Sequence, residues 1–103
     1  MVNPRQGDIW WAEAQDKRRP VLVVTRSEAI PALTWILVAP LTRTVRDIPT
    51  EIPLDEDHGV DRSCAASFDN LQPIRKTFLT SRIGSLPFPR QAICRTLAAV
   101  ADC

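Results

Sequence analysis

Metal-binding side chains are scarce in this sequence: one histidine, His58, and three cysteines, Cys64, Cys94 and Cys103, among 103 residues. No two cysteines stand at C-x-x-C spacing, which excludes the close four-ligand set of a structural zinc. An odd, scattered set gives no disulfide framework either. The three are expected as small buried apolar residues in a reducing cytosol. Long hydrophobic runs are missing too. The longest, Val21–Val24 and Trp35–Ala39, fall far short of the roughly 20 residues that cross a bilayer. Met1–Gln6 has no apolar core of the signal-peptide kind, so the chain is expected to be soluble and cytoplasmic, with no membrane partner. Neither charge sign dominates, and a net charge of +1 by itself announces no polyanionic partner. No internal repeat, low-complexity tract or linker interrupts the chain, and a single domain over residues 1–103 is expected.

What is present is unevenly placed. Basic residues gather at Lys17-Arg18-Arg19, at Arg43 and Arg46, and at Arg75-Lys76, while acidic ones gather at Asp55-Glu56-Asp57 and Asp61. Of the 13 basic residues 11 are arginine, whose planar fork suits bidentate phosphate contacts and stacking on bases; the codon preference of a GC-rich genome would enrich arginine as well. Apolar residues make up 45%, a normal share for a globular core. The nine prolines, spread from Pro4 to Pro89, argue against a helix bundle. A proline inside a helix costs about 3 kcal/mol, whereas short strands separated by turns accommodate it.

Five or six strands are predicted. The first covers Asp8–Glu13, with Ile9 and Trp11 on one face and Trp10 on the other. Ala14–Arg19 reads as a charged loop. Pro20–Thr25 and Trp35–Pro40 are apolar on both faces and so read as central strands, with Trp35 in the core. In so short a chain a second subunit is the expected cover for one of those faces. Ser27–Leu33 has room for one helical turn between them. Thr50–Leu54 alternates, with Pro53 marking an edge, and Asp55–Asp61 is an acidic turn in which His58 is solvated. Ser63–Asp69 and Phe78–Gly84 complete the set. From Pro89 onward neither proline nor glycine occurs, and Ile93, Leu97, Val100 and Ala101 form one helical stripe. The expected architecture is mainly β: a small antiparallel barrel closed by a C-terminal α-helix.

Four segments carry a resemblance: Gly7-Asp8-Ile9-Trp10-Trp11-Ala12, Arg19-Pro20-Val21-Leu22-Val23-Val24, Val38-Ala39-Pro40-Leu41-Thr42 and Phe68-Asp69-Asn70-Leu71. In this order, and followed by the terminal helix, they resemble the MazF/PemK family of toxins over nearly the whole chain. The resemblance implies an SH3-like barrel and a homodimer. It also implies endoribonuclease activity on single-stranded RNA without a metal or other cofactor, and a cognate antitoxin whose disordered tail fills the RNA groove. Carried over position by position, Arg19 matches the family's catalytic arginine before proline. Thr42 matches the threonine after the third strand, and Asp69 an acidic position used as base or substrate contact. Lys17, Arg18, Arg43 and Arg75 stand in the basic clusters that would bind RNA. Ser67 replaces an arginine that some members carry before the acidic position, and the first loop lacks a histidine found in others; both leave the general base open.

Each of these positions also has a structural reading. Arg19 is otherwise an exposed loop arginine, Thr42 a turn cap, and Asp69 a carboxylate paired with a neighbour such as Arg43. Trp10 and Trp11 cannot both face inward, so one is left for a subunit interface or a base-stacking face. Two other functions fit the same barrel. A non-enzymatic toxin that poisons DNA gyrase relies on an aromatic near the chain end, and Val100-Ala101-Asp102-Cys103 offers none. The other is a catalytically inactive RNA-binding module.

Overall fold

The computed structural model describes residues 3–14 and 16–101. Seven strands and one helix follow in the order β1 (Asp8–Ala14), β2 (Lys17–Val23), β3 (Trp35–Thr42), β4 (Glu51–Leu54), β5 (Cys64–Ser67), β6 (Gln72–Arg75), β7 (Leu79–Ser85) and α1 (Pro89–Val100). The strands form one curled antiparallel sheet, a half-barrel of order β4-β5-β3-β2-β1-β7, with β6 also paired to β3. Among the described residues no helix is long and apolar enough to cross a membrane.

The segment read as a charged loop is largely strand. Ala14 pairs with Lys17, Glu13 with Arg18 and Ala12 with Arg19, so β2 begins three residues before Pro20. Asp16 makes the turn at φ 66°, a left-handed conformation that a short polar side chain tolerates. Lys17, Arg18 and Arg19 therefore alternate across an exposed strand, Lys17 and Arg19 on one face and Arg18 on the other.

The pattern of two apolar faces proves correct, but the chain covers both of them itself. On one face Ile9, Leu22 and Ala39 pack with Ile52, Leu54, Phe68 and Ile93 of β4, the 3₁₀ turn at Phe68–Asn70, and α1. On the other, Trp10, Val21, Val23, Ile36, Val38 and Leu79 fill the curl of the sheet. The apolar runs thus call for no second subunit.

The strand β3 changes partners along one edge. Trp35–Val38 pairs with β6 and Leu41–Thr42 with β5, and neither strand pairs with Ala39 or Pro40. The 3₁₀ turn Phe68–Asn70 bridges that gap.

Several local expectations are corrected. Trp35 is half exposed rather than core: it starts β3, beyond the last β2 pair at Val23–Val38, and Arg75 lies 5.3 Å over its ring. Cys64 is buried but Cys94 is exposed on α1; Cys103 lies outside the described residues. His58 is no solvated turn residue, because its Nδ1 accepts from the Asp55 N–H at 3.0 Å and completes a capping box around the 3₁₀ turn Glu56–His58. In α1 the buried side is Ile93 and Thr96, with Ala92 and Leu97 packed beside them, while Val100 is exposed.

Candidate active site

Three elements meet at the break in β3. Continuing the β2–β3 register of Val21 with Pro40 by two residues sets Arg19 opposite Thr42, on the same face of the sheet. The 3₁₀ turn supplies Asp69 and Asn70 from the other side of β3. An open groove of about 780 Å³ runs between them, lined by Arg19, Thr42, Arg43, Ser67, Asp69 and Asn70, among others. Positions 23 and 27 residues apart in sequence are brought together by strand pairing.

The groups in the groove differ in how firmly they are held. Thr42 Oγ1 accepts the Thr44 N–H at 3.2 Å, which leaves its own hydrogen to donate elsewhere. Asp69 is not paired with an arginine; its Oδ2 accepts from Thr50 Oγ1 at 2.8 Å, and its second oxygen is left for another partner. Ser67 is buried, and its Oγ accepts from Asn70 Nδ2 at 2.9 Å, which orients that amide. Arg19 and Arg43 are exposed and enter no ion pair among the described residues. The groove therefore presents two unneutralised guanidinium groups, the Asp69 carboxylate and the Thr42 hydroxyl, among others, to whatever enters it.

The basic residues singled out from the sequence are dispersed around this groove. Arg43 lines it. Lys17 lies in an adjoining cleft that also contains Arg19. Arg18, on the opposite face of β2, stacks 4.2 Å over the ring of half-buried Trp11 and borders a 530 Å³ cleft that reaches the same Thr42 and Arg43. Arg75 is not part of the groove: it pairs with Trp35, at the other end of β3 and about 23 Å along the strand from Thr42. Sequence reasoning passed over Thr50 and Gln72. Thr50 looked like an ordinary strand residue and Gln72 stood in no motif, so no local signal marked either. Among the described residues no group of three or more His, Cys, Asp or Glu side chains is placed to hold a metal ion.

The family model for PemK-like, MazF-like toxins of type II toxin–antitoxin systems matches residues 5–101. The chain is 38% identical over 103 residues to a probable endoribonuclease MazF5 of Mycobacterium tuberculosis, covering 97% of this chain and 94% of that relative. The solved structure of Mycobacterium tuberculosis toxin MazF-mt6 superposes at a TM-score of 0.82 and 38% identity, over 92% of this chain and 96% of that one. An endoribonuclease from mycobacterial species, solved in complex with its cognate antitoxin, shares the fold at a TM-score of 0.77 and 22% identity, over 93% and 92% of the two chains. With a family match that runs from Arg5 to Ala101, through every strand and the helix, the chain belongs to the PemK-like, MazF-like toxins of type II toxin–antitoxin systems.

Proposed function

We propose that this chain is a sequence-specific endoribonuclease toxin, acting in the cytoplasm on single-stranded RNA and neutralised by a cognate antitoxin. The observation that carries the reading is the convergence of Arg19, Thr42 and Asp69 on one 780 Å³ groove. The relatives named as endoribonucleases, and the one solved with its antitoxin, support it. The homodimer in this proposal rests on the family resemblance, since the apolar strands are already covered within one chain.

In the proposed reaction the ribose 2′-oxygen attacks the adjacent phosphorus. The new O2′–P bond forms as the P–O5′ bond breaks, giving a 2′,3′-cyclic phosphate and a 5′-hydroxyl. Asp69, through the oxygen that Thr50 does not occupy, takes the 2′-OH proton. Arg19 bridges two phosphate oxygens with its planar fork, where charge builds in the transition state. Thr42 donates its hydroxyl to the phosphate, and Arg43 holds a neighbouring phosphate as a second positive charge. The departing 5′-oxygen takes a proton from water in the open groove. Every step uses groups of the chain, the RNA or water, so no metal ion is required.

The test is incubation of the purified chain with a short single-stranded RNA in EDTA. Discrete cuts bearing a 2′,3′-cyclic phosphate and a 5′-hydroxyl are expected. A strict magnesium requirement, or 5′-phosphate products, would refute the mechanism.

A further inference from the structure

Beyond Arg19 the groove continues into a second cleft of about 290 Å³, and Arg19 and Gln72 line both. This cleft lies between the β1–β2 hairpin and β6, and its character differs from that of the groove. Its floor is apolar, built from Ala12, Ala14, Ile74 and Phe78, with Lys17 among the lining residues. Ala12 and Ala14 are alternate residues on one face of β1, and their small side chains leave the space open. The one neutral polar side chain in it is that of Gln72, which is half buried and makes no hydrogen bond among the described residues. An amide in an apolar cleft carries two donors and an acceptor with nothing to meet them, and a ligand that meets them gains specificity as well as affinity.

An unpaired RNA base has the matching form: apolar faces that pack on such a floor and an edge of donors and acceptors that an amide reads. Arg19 and Gln72 line both the groove and this cleft, so a nucleotide whose phosphate sits at Arg19 can set its base against Gln72. We infer that this cleft is the base subsite beside the cut, in which Gln72 reads the edge of the nucleotide adjoining the scissile phosphate. This rests on the nuclease reading above and adds to it a specificity-determining residue outside the reacting groups.

The experiment treats a randomised single-stranded RNA pool with the full chain and with its Gln72→Leu and Gln72→Glu variants, then sequences the new 5′ ends. The parent should show a base preference next to the cut. Gln72→Leu should reduce that preference about tenfold at that one position and leave the others as they were. Gln72→Glu keeps the shape and one acceptor but loses the donors, so it should favour a base presenting a donor there. Thermal melts of both variants should match the parent, because the Gln72 side chain holds no partner in the fold. Parental preference in both variants overturns the inference and leaves the nuclease reading standing. A uniform loss of cutting at every sequence with a lowered melting temperature also overturns it, since that is the mark of a structural residue. A parent that cuts no RNA overturns the nuclease reading and the subsite together.

Discussion

In the proposed mechanism, replacing Arg19 by alanine should separate catalysis from folding. The Arg19 side chain is exposed and has no hydrogen bond, ion pair or ring contact among the described residues. Its removal leaves no cavity and no orphaned partner, so stability should stay within about 0.5 kcal/mol of the parent. The backbone at that point is nonetheless firm: Arg19 pairs with Ala12 in the sheet, and Pro20 restricts it to extended geometry. In the proposed mechanism this fixed backbone places the free guanidinium within reach of the charge that develops on the phosphate. Loss of one such contact costs about 10²–10³ in rate, roughly 3–4 kcal/mol. Arg19→Lys should fail largely as well, because an ammonium cannot form the planar two-point contact. Arg18→Ala is the control. It removes a stacking contact on Trp11 from the opposite face of β2, worth about 0.5–1 kcal/mol of stability at an exposed site, and should change the chemical step little. Single-turnover cleavage of one short RNA by the parent and all three variants, with thermal melts alongside, decides the matter. If Arg19→Ala cuts within about threefold of the parent, less than 1 kcal/mol of barrier, the placement of the phosphate at Arg19 is wrong.

Asp69→Asn should lower the single-turnover rate about 10²-fold or more, as expected for a lost proton acceptor, with melting unchanged; a rate near the parent's would remove Asp69 from the chemistry. Ile93→Ala, at a fully buried position where α1 meets the sheet, should cost about 2–5 kcal/mol in denaturant unfolding, and a cost under 1 kcal/mol would mean that the helix is not packed as described. Gly84→Ala would drive a Cβ into the His58 carbonyl oxygen and should destabilise by about 3 kcal/mol, read from the same titration. Alkylation at neutral pH should mark Cys94 and spare Cys64, read by peptide mass mapping. Burial first, and then the Asp61 carboxylate, push the Cys64 thiol up, so its protection should persist through mildly alkaline pH and fail only once the thiol ionises or the chain unfolds.

The elements legible in the sequence were those with a strong apolar signature. β2 and β3 announced themselves by runs without a polar break, and α1 by a proline start and a long stretch free of glycine. The misreadings share a physical cause. Lys17-Arg18-Arg19 looks like loop because charge occupies both faces, yet the pairing of Glu13 with Arg18 and Ala12 with Arg19 holds it as strand. β6 went unread because Gln72-Pro73 has no apolar alternation and contains a proline, which an edge strand accommodates. Trp35 belongs by composition to the apolar run that follows it, but as the first residue of its strand it lies past the cover of β2. For the groove, Arg19, Thr42 and Asp69 were marked by the family resemblance and by nothing in periodicity. The partnership of Thr50 with Asp69 spans 19 residues of sequence and could only be seen in the fold.

The groove owes its existence to an irregularity in the sheet. A β3 strand paired without interruption along its outer edge would have neighbouring strand where the groove now opens. At Ala39–Pro40 neither β5 nor β6 follows, and Pro40, having no N–H, leaves no donor orphaned there. The chain fills the interval with the 3₁₀ turn at Phe68–Asn70, which is anchored from below. Phe68 is almost completely buried in the core beneath α1, and its N–H donates to the Thr50 carbonyl at 2.9 Å. That single apolar anchor fixes the two exposed residues after it, Asp69 and Asn70, while Thr50 and Ser67 hold their side chains. Across the gap, Arg19 and Thr42 stand on strand backbones set by cross-strand pairing. Groups exposed to water and substrate are thus carried on backbone held by strand pairing and a buried anchor, an arrangement suited to the electrostatic stabilisation proposed above. The same reasoning explains why the site tolerates exposed, charged side chains in a small domain: the backbone beneath it is packed on Phe68, Val21 and Ile52, so the fold does not rest on the exposed charges of Arg19 and Arg43.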